Sequence, residues 1–207
     1  MLSFPIRALL LLGPTGAGKT PLGWELEKRR LFGKKIHHFD FGENLRKVAR
    51  GLIPFEEEDR KLIMDILKEG RLLKPEEFYL AEHLLSSFLT QVSFKKEDLL
   101  LLNGLPRNLY QAEKLPNFIE MEGVIYLKID ERTLFLRLKT DPAMDRKERT
   151  DDLEELVFKK LKWFKEENLP LLEYYSAKGV KIIELSVSEK DTGESLYEKL
   201  IETWKNL

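Results

Sequence analysis

The chain has 207 residues, of which 35 are basic and 36 acidic, giving a formal net charge of -1. This balance argues against a surface that binds nucleic acid through its charge. Hydrophobic residues make up 43% of the chain, which indicates a globular protein, and the absence of Cys excludes disulfides, thiolate zinc sites and cysteine nucleophiles. The N-terminal apolar run is too short to span a membrane and leads directly into a glycine-rich loop. We therefore expect a cytoplasmic protein that has no membrane partner.

The first predicted element is a buried strand at Ile6–Leu12, and helical periodicity follows at Leu22–Arg30. The segment between them reads Gly13-Pro14-Thr15-Gly16-Ala17-Gly18-Lys19-Thr20, a complete G-x-x-x-x-G-K-[ST] phosphate loop. In such a loop, backbone amides and the positive end of a helix point at the phosphates. Lys19 can reach the β- and γ-phosphates, and the Thr20 hydroxyl can ligate Mg²⁺. The pattern predicts a nucleoside triphosphate site.

Further apolar runs alternate with helical patterns along the rest of the chain. The predicted strands are Ile36–Phe39, Leu99–Leu102, Val124–Ile129 and Val180–Leu185. The predicted helices are Asn44–Arg50, Glu57–Lys68, Pro75–Thr90, Leu134–Lys139, Leu153–Glu166 and Ser195–Trp204. Continuous apolar runs are typical of strands that are buried on both faces of a parallel sheet. We therefore predict an α/β fold with a doubly wound sheet, whose ligands bind at the carboxyl ends of the strands.

Four polar segments follow the phosphate loop in a characteristic order. They read Phe41-Gly42-Glu43-Asn44-Leu45-Arg46, then Gly70-Arg71-Leu72-Leu73-Lys74-Pro75, then Asn103-Gly104-Leu105-Pro106-Arg107-Asn108-Leu109-Tyr110-Gln111-Ala112, and finally Arg149-Thr150-Asp151-Asp152. In order and spacing they resemble the T-G-D-x-L-R, G-x-L-V-P, D-G-F-P-R-x-x-x-Q and R-x-D-D segments of the nucleoside monophosphate kinases, above all the adenylate kinases. The resemblance covers essentially the whole chain.

The resemblance implies a single P-loop NTPase-type domain over residues 1–207, with a five-stranded parallel sheet. Within it, we expect an NMP-binding segment at 41–78 and a short lid at 139–148, inserted into a core of residues 1–40, 79–138 and 149–207. The implied reaction transfers the γ-phosphoryl group of MgATP to AMP and gives two ADP. The expected partners are these two nucleotides, and we expect the protein to be a monomer.

The resemblance also implies roles for individual residues. The donor site would comprise the whole loop Gly13–Thr20, with Arg137 over the adenine of ATP. On the acceptor side, Arg46 and Arg107 would hold the phosphate and Gln111 would read the base, beside Phe41, Leu73 and Gly104. The catalytic group would be Lys19, Arg107, Arg149 and Lys160, whose positive charges surround the transferring phosphoryl group. Thr20, with Asn103 acting through a metal-bound water, would organise Mg²⁺.

Three positions depart from the family pattern. Asn103 replaces an Asp, which predicts weakened activity and a higher kcat on restoring the carboxylate. Lys160 replaces an Arg and loses its two-pronged grip on phosphate. Phe41 replaces a small Thr beside the adenine, where it either closes over the base or obstructs it. Two alternatives therefore stay open at this point: a kinase for another monophosphate such as UMP, CMP or dAMP, and a catalytically weakened nucleotide-binding regulatory protein.

Overall fold

The computed structural model describes residues 4–115, 118–142 and 154–205, and within these ranges one parallel sheet forms the centre of the molecule. Its strands are β1 (Ile6–Leu12), β2 (Ile36–Asp40), β3 (Leu99–Asn103), β4 (Ile119–Lys128) and β5 (Lys181–Ser186). Their order across the sheet is β2-β3-β1-β4-β5. The predicted fold class, an α/β fold with a five-stranded parallel sheet, is confirmed.

Helices follow the strands on both sides of the sheet. They are α1 (Lys19–Arg29), α2 (Phe41–Ala49), α3 (Glu57–Glu69), α4 (Tyr79–Gln91), α5 (Leu109–Lys114), α6 (Glu131–Thr140), α7 (Glu154–Trp163), α8 (Pro170–Ala177) and α9 (Gly193–Lys205). A 3-10 turn at Pro75–Glu77 precedes α4, and a π turn at Phe164–Asn168 joins α7 to α8. In the described part of the chain, no helix combines the length and the apolar character needed to cross a bilayer.

Both faces of the sheet are buried because successive side chains of a strand point to opposite sides. On one face, Leu9 and Leu11 of β1 pack in a cluster with α1 and α9. On the other face, Leu10 and Leu12 of β1 belong to a larger cluster that includes side chains of α2, α4 and α8. This arrangement explains why the central strands are nearly continuous apolar runs, which is the pattern from which the sheet was predicted.

The strand order brings three chain segments to the same edge of the sheet. Parallel pairing aligns Leu11 of β1 with Asn103 of β3, and it aligns Asn103 with Asp40 of β2. The phosphate loop begins directly after β1, so it rises next to both polar residues. Helix α2 begins directly after Asp40, whose Oδ1 accepts a 2.9 Å hydrogen bond from the Glu43 amide and caps the helix.

Candidate active site

A cleft opens above the carboxyl ends of β1, β2 and β3. Its floor is formed by the phosphate loop together with the last residues of β2 and β3. One wall comes from the start of α2, the end of α3 and the turn after β3, and the other from the ends of α6 and α7 with the π turn. Ligands of doubly wound sheets bind at this edge, so the cleft is the candidate active site.

The phosphate loop depends on glycine for its backbone conformation, and its lysine contacts carbonyl groups at the start of the same loop. Gly18, at φ +98°, caps α1 in the left-handed region, where a Cβ would lie 2.9 Å from Leu196 Cδ1. Lys19 Nζ donates to the carbonyl oxygens of Gly13 at 2.6 Å and Pro14 at 2.8 Å. The ammonium group therefore lies where a bound phosphate would meet both the loop amides and a positive charge.

Arg137 connects the phosphate loop with the turn between β5 and α9. The side chain is buried, and its Nε donates to Gly16 O at 3.1 Å. Its Nη1 donates to carbonyl oxygens of the turn between β5 and α9, including Asp191 O at 2.7 Å. The guanidinium thus links the phosphate loop to the turn before α9, and it also lines the cleft. Its predicted contact with the adenine of ATP stays a prediction.

A carboxylate that the sequence analysis did not single out lies beside the loop threonine. Thr20 Oγ1 donates to Asp40 Oδ2 at 2.6 Å, and Asn103 Nδ2 lies 2.9 Å from the same oxygen and 3.2 Å from Thr20 Oγ1. Mg²⁺ prefers oxygen ligands and commonly uses one or two protein groups together with phosphates and water. The Thr20 hydroxyl and the Asp40 carboxylate fit this requirement. The signal for Asp40 was its position as the last residue of a strand before a helix.

The charge state of this polar group follows from its surroundings. Burial raises the pKa of the Asp40 carboxyl, but the neighbouring His38 and the hydrogen bonds from Thr20 and the Glu43 amide outweigh burial and lower it. Burial lowers the pKa of His38, while the nearby carboxylates of Asp40 and Glu27 oppose this shift. His38 Nε2 lies 3.2 Å from Asn103 Nδ2 and can accept from that amide. Asp40 is therefore an anion at neutral pH, held in a hydrogen-bonded group with Thr20 and Asn103.

The two predicted acceptor arginines converge on one point of the chain. Arg46 Nε donates to Glu43 Oε2 at 2.9 Å, and Arg107 Nε donates to Gly104 O at 2.8 Å. A Cβ placed on Gly42 would lie 3.6 Å from Arg46 Nη1 and 3.8 Å from Arg107 Nη2. Both guanidinium groups line the cleft. Planar guanidinium groups bind phosphate oxygens in pairs, so this corner suits a monophosphate.

Arg71 is a further arginine of the cleft wall that sequence reasoning missed. Its guanidinium makes a two-pronged contact with the buried Glu77, at 2.6 and 2.8 Å, and donates to Glu69 at 2.9 Å. The hydrogen bonds from Arg71 lower the pKa of the Glu77 carboxyl. This ion pair fixes the chain between α3 and α4, which forms part of the cleft wall. The signal was available in the sequence, as an arginine inside a segment already identified by its resemblance.

The opposite wall carries Lys160 of α7. Lys160 Cε would lie 3.7 Å from a Cβ on Gly70, the residue that ends α3. The preceding residue, Lys159, donates to Glu69 O at 3.0 Å, so α7 contacts the end of α3. Arg149 and positions 143–148 of the predicted lid lie outside the described residues. The roles predicted for them stay predictions.

Four of the predicted site residues do not line the cleft: Ala17, Phe41, Leu73 and Gln111. Phe41 is 2% exposed and packs in the core, with its ring centroid 6.3 Å from that of Phe39. Gln111 is 1% exposed, and its Oε1 accepts a 2.8 Å hydrogen bond from the Arg107 amide. This contact makes Gln111 a support for Arg107. Contacts of Phe41, Leu73 and Gln111 with an acceptor base remain predictions.

Comparison with known proteins decides the family. The family model described as adenylate kinase matches residues 11–180. The chain belongs to the adenylate kinase family. The predicted resemblance is thereby confirmed, and the motifs of the cleft all lie within the matched range.

Two curated relatives illustrate the similarity of this chain to named adenylate kinases. It is 30% identical over 179 residues to an adenylate kinase of Prochlorococcus marinus, covering 84% of this chain and 86% of that protein. It is 29% identical over 196 residues to an adenylate kinase of Rickettsia bellii, covering 81% and 85%. A gluconokinase structure from Sinorhizobium meliloti aligns with a TM-score of 0.52 at 13% identity, covering 98% of this chain and 93% of that one, and this likeness supports the fold alone. Family membership supports a phosphotransferase that acts on nucleotides.

Proposed function

We propose that this member of the adenylate kinase family transfers the γ-phosphoryl group of MgATP to AMP and forms two ADP. One observation carries the proposal: a phosphate loop with Lys19 and Thr20 faces Arg46 and Arg107 across a single cleft. A triphosphate in the loop and a monophosphate at the arginines would direct their phosphates toward each other. Phosphoryl transfer mainly requires such positioning, with positive charge around the moving group.

The proposed mechanism is a direct in-line transfer without a covalent intermediate. Lys19 and the loop amides hold the donor phosphates, and Arg46 and Arg107 hold the acceptor phosphate. Lys160, with Arg149 from the lid side, stabilises the transferring group. No general base is needed, because the attacking phosphate oxygen is already an anion at neutral pH. Mg²⁺, when bound with ATP near Thr20, neutralises charge on the phosphates.

Water exclusion is the second requirement, because water that reaches the γ-phosphate would hydrolyse ATP wastefully. We propose that the NMP-binding segment 41–78 and the lid 139–148 close over the two nucleotides. The contact of α7 with the end of α3, between Lys159 and Glu69, supports a role for this side of the cleft in closure. We further propose a cytoplasmic monomer.

AMP is proposed as the acceptor on the strength of Gln111 and of family membership. Gln111 accepts from the Arg107 amide, so its amide nitrogen is oriented by that bond and can donate to an acceptor on the base. Phe41 packs in the core, which argues against obstruction of the base by its ring. UMP and CMP remain competing acceptors because Gln111 does not line the cleft wall. The acceptor dAMP remains a third because it carries the same adenine as AMP.

A coupled assay tests the proposal by offering ATP and Mg²⁺ with AMP, dAMP, UMP or CMP in turn. We expect ADP formation with AMP well above the ATP-only background. A preference for another monophosphate would replace AMP as the substrate, and no turnover with any acceptor would contradict the kinase proposal and favour a regulatory nucleotide-binding protein.

Two lysine substitutions in α1 distinguish an effect of the phosphate loop on turnover from an effect of charge elsewhere in that helix. Lys19→Met removes the charge at the loop and should lower kcat about 100-fold or more, as loss of a preorganised electrostatic contact does in other enzymes. Lys28→Met, at an exposed position of the same helix, should leave kcat unchanged. Equal activity of the two variants would show that turnover does not depend on the loop.

A further inference from the structure

The last residue of β2, Asp40, carries a carboxylate that is not part of the family's sequence pattern. Asp40 and Asn103 are paired residues at the carboxyl ends of β2 and β3, next to Thr20 of the phosphate loop. The family's usual carboxylate at position 103 is an amide here. A carboxylate is nevertheless present at this edge of the sheet, one strand further out.

The hydrogen bonds fix the orientation of the Asp40 carboxylate. Oδ1 accepts from the Glu43 amide at 2.9 Å, while Oδ2 accepts from Thr20 Oγ1 at 2.6 Å and from Asn103 Nδ2 at 2.9 Å. Oδ2 therefore faces the threonine whose hydroxyl is the expected metal ligand. A carboxylate has about four acceptor sites in total, so it retains capacity to accept from a metal-bound water on the side that lines the cleft.

Asn103 serves as the hydrogen-bond donor in this arrangement. It is 3% exposed, and its Nδ2 lies within 3.2 Å of three acceptors, on Thr20, His38 and Asp40. The amide donates inward and holds the carboxylate and the hydroxyl together. An aspartate could not make these bonds, because an ionised carboxylate only accepts hydrogen bonds.

From this geometry we infer that Asp40 is the carboxylate that holds the water shell of the nucleotide-bound Mg²⁺, and that Asn103 is a positioning residue for Asp40 and Thr20. The inference deepens the proposed function and rests on it. The task that the family assigns to a carboxylate on β3 is carried out in this chain by one on β2. Asn103 is then not a defect of the site but part of its support.

The direct test is calorimetric binding of a non-hydrolysable ATP analogue, measured once with Mg²⁺ and once with EDTA. The readout is the ratio of the two affinities, which needs no acceptor and no turnover. Replacing a charged hydrogen-bond partner by a neutral one should reduce this ratio about tenfold in Asp40→Asn. The affinity with Mg²⁺ should fall, whereas the affinity in EDTA should not fall, because the substitution removes a negative charge beside the phosphates.

Asp130→Asn is the matched control. Asp130 caps α6 in the same way, accepting from the Thr133 amide at 2.9 Å and from the Thr133 hydroxyl at 2.6 Å, and it is exposed and away from the cleft wall. This variant should retain the full Mg²⁺ effect. Asp40→Ser is a second test variant, because serine also caps helices but carries no charge. It should lose the Mg²⁺ effect as Asp40→Asn does, and it keeps the test decisive should the asparagine variant fail to fold.

The outcomes separate the inference from the proposed function. If the wild-type protein binds the analogue more tightly with Mg²⁺ and both Asp40 variants keep that gain, the inference is wrong and the proposed function stands. If the wild-type protein binds the analogue without any gain from Mg²⁺, the inference is also wrong. If the wild-type protein binds no analogue under either condition, both the inference and the proposed function are overturned.

Discussion

Asn103 Nδ2 donates to Asp40 Oδ2 over 2.9 Å, and the two residues are register partners at the ends of neighbouring parallel strands. This contact changes the meaning of the asparagine. Taken alone, Asn103 is a missing carboxylate, whereas beside Asp40 it is the donor that a carboxylate at that position could not provide. The two positions should therefore be treated as one unit in any mutagenesis.

The first prediction concerns Asn103→Asp, which the sequence alone expects to raise kcat. The contact adds an expected cost in stability, because the substitution would place two carboxylates within hydrogen-bond distance and raise the pKa of one of them. We expect a loss of about 1–3 kcal/mol in the free energy of unfolding at neutral pH, since one pKa unit corresponds to about 1.4 kcal/mol. Urea unfolding measures it.

The double variant Asp40→Asn with Asn103→Asp is the control for this prediction. It exchanges the two side chains and restores one donor and one carboxylate. It should recover most of the stability that Asn103→Asp loses. Equal instability of the single and double variants would show that charge repulsion is not the cause.

The second prediction tests the acceptor corner. Arg46→Ala should raise the KM for AMP about 10- to 100-fold, because hydrogen bonds to charged groups contribute about 1.5–3 kcal/mol. The KM for ATP should remain as in the wild type. Steady-state kinetics with each nucleotide varied in turn provides the measurement.

Arg50→Ala is the matched control for the acceptor corner. Arg50 contacts the same Glu43 carboxylate at 2.6 Å, but it is exposed at the end of α2 and is not part of the cleft wall. Its loss should leave both KM values nearly unchanged. A similar rise in the KM for AMP in both variants would assign the effect to Glu43 rather than to phosphate binding.

The third prediction is steric. A Cβ on Gly23 of α1 would overlap the buried ring of His38. Gly23→Ala should therefore destabilise the protein by about 1–3 kcal/mol, as overpacking does, although alanine is the better helix former. Thermal or urea unfolding measures the change.

Gly42→Ala is the contrasting substitution for stability. The nearest atom to its Cβ would be Asp40 Oδ1 at 3.5 Å, an ordinary contact, and Gly42 also lies in a helix. This variant should unfold at the same urea concentration as the wild type or at a higher one. Destabilisation of equal size in both variants would contradict the steric explanation.

The fourth prediction concerns pH and the loop that Arg137 ties to the phosphate loop. Burial raises the pKa of the Asp191 carboxyl, but hydrogen bonds from Lys199, Ser188 and Ser195 lower it to about 2. A carboxyl with a lowered folded-state pKa stabilises the protein above its unfolded value, here 3.8. That stabilisation is lost as the pH falls from there toward 2.

We expect Asp191→Asn to cost about 2 kcal/mol of unfolding free energy near neutral pH, since one pKa unit corresponds to about 1.4 kcal/mol. The difference between wild type and variant should shrink as the pH falls through the interval between the two pKa values. Urea unfolding of both proteins over a pH series measures this. A constant difference across the series would show that charge on Asp191 does not contribute.

Some elements could be predicted closely and others could not. Strand β1 and the phosphate loop were placed correctly because their signals are local, an apolar run followed by glycines at fixed spacing. Strand β4 begins at Ile119 rather than at the predicted Val124. Its first half pairs with β1 and carries Glu120 and Glu122, of which Glu122 accepts a 2.9 Å hydrogen bond from Arg7 of β1. These charged residues interrupt the apolar run from which a strand would be predicted. Helices α5 and α8 were not predicted, because segments of six and eight residues are too short to show clear helical periodicity.

The sequence by itself determined the α/β class, the family and the position of the phosphate loop, because each depends on residue types at fixed spacing along the chain. Only the tertiary structure decided which polar residues meet. Asp40 and Asn103 are 63 positions apart, and parallel pairing of β2 with β3 is what sets them side by side. It also decided that Phe41 packs inward, since burial depends on what surrounds a side chain. The resemblance to the family identified Arg46 and Arg107, whereas the position of Asp40 in the cleft became apparent only from the fold.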